Sequence, residues 1–130
     1  MKKIFFIATF LSSMLLFSFP ASAEWTLVAT SNTASRFYVD FSRIKNAEGY
    51  VYFWELSDFT KGVIAGKSYK SAVAYTQADC KVFRKKWLVV NWYNMEMGKG
   101  VIEFTQSGDD KWNYPGPRSS SELILKSVCG

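Results

Sequence analysis

The sequence predicts an α+β protein: an antiparallel β-sheet meander of five or six strands, with one C-terminal helix packed on it and pinned by a disulfide. Three observations lead there. From residue 24 to about residue 105, apolar and aromatic side chains alternate with polar ones in short runs between Gly-, Asn- and Ser-containing breaks. That period of two is the mark of half-buried strands. Near the end the period changes, with Ser121, Ile124, Leu125 and Val128 at helical spacing. Cys80 and Cys129 are the only cysteines, so an exported chain has one possible bridge, and it ties the helix to the sheet.

The first segment is an address. Lys2 and Lys3 precede an apolar run from Ile4 to Pro20, and Ala21-Ser22-Ala23 forms a small-x-small cleavage site. Residues 1–23 therefore read as a cleaved Sec-type signal peptide, and 24–130 as a single domain. The run is short for a membrane span. No cysteine lies at the junction for a lipoprotein anchor, and no other stretch is long and apolar enough to cross a membrane.

Within 24–130, Glu24 to Thr30 reads as a strand with Trp25, Leu27 and Ala29 on one face. Ser31 to Ala34 is a polar turn, and Arg36 to Asp40 a short aromatic strand. Phe41 to Gly49 is a turn with Ile44 tucked inward. Tyr50 to Phe59 is a strong strand whose Tyr50, Tyr52, Trp54 and Leu56 share a face. Lys61 to Lys67 is a hairpin loop, followed by a strand over Ser68 to Asp79. Cys80 to Tyr93 continues extended, with a bulge or bend around Arg84, Lys85 and Lys86. After a loop from Asn94 to Lys99 comes a last strand over Gly100 to Thr105, and the breakers between Ser107 and Pro117 make another loop. Ser119 and Glu122 fit a capping box for the helix, and Lys126 suits the negative end of its dipole. The bridge closes a loop of about 50 residues, which constrains the unfolded chain by roughly 4 kcal/mol.

Composition narrows the chemistry. The chain has 16 Lys and Arg, 11 Asp and Glu, and no His, so it lacks the commonest general base and metal ligand. With both cysteines bridged, only oxygen ligands remain. The adjacent Asp109 and Asp110 lack the spacing of a calcium loop. Gly62 to Ser68 places three residues between its glycines where a phosphate loop needs four, and it joins strand to strand rather than strand to helix. No Gly-x-Ser-x-Gly elbow occurs. Asp40, Glu55, Asp58, Asp79 and Glu103 could meet in space, but no spacing favours a catalytic pair. The expectation is therefore no catalytic residue, no metal and no cofactor. Cleavage leaves fourteen cations against eleven acids, a net charge of +3, which is too weak to argue for nucleic acid.

What remains is a contact surface. Lys81, Arg84, Lys85 and Lys86 form the densest basic stretch and could face an anionic partner such as a glycosaminoglycan, lipopolysaccharide, anionic lipid or acidic protein patch. The alternative is a solvated strand face that protects an edge. Eighteen aromatics lie within residues 24–130, more than the interior of so small a sheet has to hold. Periodicity makes Tyr38 and Tyr75 candidate contacts on the outer face, with packing in the core as the alternative for each.

Taken in order, several landmarks resemble the bacterial surface-adhesin protein E family. They are Trp25; Tyr38-Val39-Asp40 with Ile44; Trp54, Leu56 and Asp58-Phe59; Tyr69 and Ser71; Asp79-Cys80; Met95 or Met97 with Gly98; and Trp112, Pro117, Glu122 and Val128-Cys129. The resemblance implies an antiparallel sheet with a disulfide-tied C-terminal helix. From the family's founding adhesin it also implies binding of host matrix and plasma proteins such as vitronectin, laminin and plasminogen, and it allows a homodimer. Two departures stand out. There is no lipidation cysteine, and Phe41 stands where relatives often place Pro. The shared residues are scaffold rather than contact residues, so they carry the fold further than the function. The expected role is a non-catalytic protein-binding module, in the periplasm or at the cell surface. The alternative is a soluble periplasmic protein with a housekeeping, stress or inhibitor role and no host contact.

Overall fold

The alternating runs assemble into one seven-stranded antiparallel sheet. The computed structural model describes residues 23–59 and 69–130; all but the last residue of the expected leader, and the hairpin loop expected over Lys61 to Lys67, lie outside the described residues. The strands are β1 (Trp25–Thr30), β2 (Arg36–Asp40), β3 (Lys45–Ala47), β4 (Tyr50–Asp58), β5 (Ser71–Asp79), β6 (Arg84–Tyr93) and β7 (Ile102–Ser107), followed by helix α1 (Ser120–Cys129). The spatial order is β1-β2-β4-β5-β6-β7, and β3 pairs with β4. Chain neighbours are therefore sheet neighbours except where β3 shares one side of β4 with β2. The sequence showed no separate β3: three residues after a 3-10 turn at Phe41–Arg43 carry too little alternation to read as a strand.

Strand alternation sorts the side chains onto two faces. Phe53, Val39 and Ala78 meet Ile124 and Leu125 of α1 in the main core, with Val28, Ile44, Val51 and Val128 around them. The helical stripe read from the sequence is thus the face that packs. On the opposite, outer face lie Tyr52, Trp54 and Leu56 of β4, with Tyr38 and Val73 paired to Leu56 and Tyr75 paired to Trp54. A 3-10 turn at Glu96–Gly98 folds over part of that face. It is held by the Ser71 hydroxyl, which accepts from the Gly98 N–H, and by Asp58, which accepts from the Met97 N–H. Gly98, at φ +67°, sits against Val73 and Leu56.

Two local expectations change. In β1 the register slips between Leu27 and Ala29. The extra residue reverses the alternation, so Ala29 is buried and Val28 packs on the core, while Leu27 stays half exposed. Trp25, Leu27 and Ala29 therefore do not share a face. Cys80 to Tyr93 is not extended throughout. Residues 80–83 form a tight turn, closed by the Phe83 N–H donating to the Asp79 carbonyl at 2.8 Å. The bulge falls at Leu88, where the register steps from Tyr75↔Val89 to Thr76↔Trp87, not among Arg84, Lys85 and Lys86.

The Ser119 hydroxyl accepts from the Glu122 N–H at 3.2 Å, as a cap should. Glu122 reaches back to the Arg118 N–H instead of that of Ser119, which bonds to the Gly116 carbonyl. The Cys80–Cys129 bridge forms, with its Cα atoms 5.5 Å apart, and joins the last turn of α1 to the end of β5.

Candidate binding surface

The outer face carries two linked groups of rings and cations. In the first, Tyr75 of β5 lies 4.8 Å from the Trp54 ring and 6.1 Å from Tyr52, centroid to centroid. The Arg43 guanidinium sits 5.4 Å above Trp54. Arg43 is held there by Asp40, whose carboxylate accepts from Nε at 2.6 Å. Burial pushes the Asp40 carboxyl up, but hydrogen bonds from the Ser42 hydroxyl, Arg43 and the Ser42 amide outweigh it and keep the group below its ordinary value of 3.8.

The second group forms because Asn113 bridges Lys85 by two backbone hydrogen bonds, of 2.8 and 3.0 Å. This pairing brings Trp112 and Tyr114 back to the sheet. The Arg84 guanidinium lies 4.2 Å from the Trp112 ring centroid, the Lys86 ammonium 4.7 Å from it, and Tyr50 stacks on it at 5.9 Å. Arg84 also donates to the Asp79 carboxylate at 3.0 Å and to the Tyr114 hydroxyl at 3.1 Å. Burial raises Asp79, and the hydrogen bonds from Arg84 and the Val82 amide bring it below its ordinary value.

The six residues singled out from the sequence divide. Tyr38, Tyr75, Arg84 and Lys86 are on the outer face, and Lys81 is exposed in the turn before β6. Lys85 is only 3% exposed and lies on the helix side. Its ammonium pairs with both Glu55 carboxylate oxygens at 3.0 and 3.1 Å. The basic stretch is thus not one patch, because strand alternation sends its middle residue inward. Lys86 is paired with Asp110 at 2.6 Å. Arg43, Trp112 and Tyr114 were missed, because only tertiary packing brings them to this face. Trp54 and Tyr52 did leave a signal, the shared face of β4.

Among the described residues no group of three or more acids or cysteines could hold a metal ion, and no helix is long and apolar enough to cross a membrane. The molecule is a disulfide-braced sheet-and-helix module with a broad aromatic and cationic outer face. The surface-adhesin protein E model matches residues 25–130, and the chain belongs to that family of surface adhesins. Crystal form II of Haemophilus influenzae protein E has a similar structure, with a TM-score of 0.61, 13% identity and coverage of 85% of this chain and 91% of that one. The selenomethionine form of the same protein gives 0.56 at 13% identity, covering 85% and 90%. At this identity the likeness shows a shared fold. No curated protein matches the chain.

Proposed function

We propose that this protein is an exported, non-catalytic binding module that holds host matrix or plasma proteins through its outer face. The observation that carries the reading is the row of Arg43, Trp54, Tyr75 and Tyr52 on that face, in a chain whose family is one of surface adhesins. Tyr, Trp and Arg are the residues enriched at the centres of protein interfaces. Arg43 and Arg84 are already oriented by Asp40 and Asp79, so little side-chain freedom is lost when a partner arrives.

The test has two stages. Intact cells are treated with protease and blotted for the chain, with a known periplasmic protein as control. Loss of the chain while the control survives supports surface display. Survival until the outer membrane is opened supports the soluble periplasmic alternative. The purified protein is then titrated against immobilised vitronectin, laminin and plasminogen at physiological salt. Binding that weakens about tenfold or more in Arg43→Ala and Tyr75→Ser supports the outer face as the contact. Binding unchanged in both variants overturns that assignment.

A further inference from the structure

Helix α1 packs against β1, β2 and β4 and against Ala78 near the end of β5, and among the described residues the helix side of the sheet around Ala72, Ala74, Val90 and Trp92 is left as an open cleft. There the sheet forms the floor of a cleft of about 480 Å³. Ser119, Ser120 and Ser121 at the start of α1 form one wall, and Gln106 to Asp109, at the end of β7 and just beyond it, another. Volumes of about 300–1,000 Å³ are typical of small-molecule sites. Phe37, Phe59, Trp87 and Trp92 border the cleft, and the Trp87 side chain is 47% exposed.

The charged group at its floor is Glu55, only 4% exposed. One of its oxygens accepts from Lys85 and from the Thr76 hydroxyl, and the other accepts from Lys85. A carboxylate has about four acceptor sites, so the second oxygen keeps capacity. Lys85 does not border the cleft, whereas Glu55 and Asp109 do. The ion pair thus turns its anionic member toward the cavity. The surrounding aromatic faces carry negative potential of their own and attract cations, as the Lys85 ammonium 5.8 Å from the Trp87 ring already illustrates.

We propose that this cleft binds a small amine with an apolar or aromatic body, its ammonium directed to Glu55 and its body lying between Trp87, Trp92 and Phe59. The site lies on the opposite side of the sheet from the proposed protein-binding face and stands independently of it.

The test is a titration of the ¹⁵N-labelled protein, produced from its full sequence, with 4-phenylbutylamine, 4-phenylbutanol and 4-phenylbutyrate. These share one body and differ in charge. The indole N–H signals of Trp87 and Trp92 report the site. The expected result is saturable shifts with the amine at an affinity about tenfold or more above that for the alcohol, with the carboxylate weakest. Trp87→Ala, at a half-exposed position of β6, should weaken amine binding several-fold. Glu55→Gln combined with Lys85→Met should abolish the preference for the amine over the alcohol. No saturable shift, equal affinities for the three probes, preference for the carboxylate, or amine binding unchanged in Trp87→Ala would each overturn the proposal. If the double variant fails to fold, the probe series and Trp87→Ala decide the matter.

Discussion

Lys85 shows how one residue can be misplaced by its neighbours. It sits in a run of cations, which on a solvated strand would all be surface residues, yet it is buried against Glu55 with Thr76 completing the group. The three residues come from β6, β4 and β5 and fix those strands against one another. A buried pair of this kind is costly to break, because the remaining charge loses its partner. Lys85→Met alone should destabilise the protein by about 3–5 kcal/mol in urea unfolding. Adding Glu55→Leu to Lys85→Met should recover most of that loss. A second sensitive residue is Gly108, where an added Cβ would collide with the Trp87 carbonyl oxygen beside the bulge. The obstacle is backbone, so it cannot swing aside, and Gly108→Ala should lower stability by about 2 kcal/mol or more, read from the urea midpoint. Neither effect was legible in the sequence. The phase of β6 depends on the bulge at Leu88, and the approach of Gly108 depends on how β7 leaves the sheet.

At the scale of elements, legibility follows how local the determining forces are. The cap at Ser119, the stripe of Ile124 and Leu125 and the cation at Lys126 were all readable in α1, because each acts within about one turn. The strong strand β4 was equally clear from its alternation. The turn at residues 80–83 was hidden because it contains no Gly or Pro. Phe83 adopts φ +62° there, a left-handed conformation that few bulky residues take, with Asp79 accepting from the Val82 N–H in the same turn. The bridge anchors α1 to the far end of β5 beside that turn. Cys80→Ser with Cys129→Ser should cost about 2–5 kcal/mol. Amide exchange in α1 should accelerate more than in β4 and β5, since the helix loses its covalent tie and the central strands keep their pairing. Equal acceleration across sheet and helix would show that the bridge acts on the whole fold at once.

For the whole molecule, the two buried acids paired with Arg43 and Arg84 set the response to pH. Asp40 and Asp79 both lie below their ordinary value of 3.8 in the folded protein. A carboxyl lowered on folding stabilises the native state above its unfolded value and loses that contribution as pH falls through its folded value. Stability should therefore be flat above about pH 5 and decline below about pH 4, measured as the urea midpoint against pH. Asp40→Asn and Asp79→Asn should flatten that acid limb. Asp110, also lowered by its bond to Lys86 but 86% exposed, should contribute little because solvent screens it. The amino-acid sequence by itself determined the strands with strong alternation, the helix and its cap, the pairing of the cysteines and the resemblance to the adhesin family. These depend on periodicity, on local hydrogen bonds, or on there being only two thiols. Tertiary structure alone decided which cations are buried, which rings share the outer face with Arg43 and Arg84, and that a cleft opens beside α1. Those outcomes depend on strand register, and one inserted residue in a strand reverses the side to which every following side chain points.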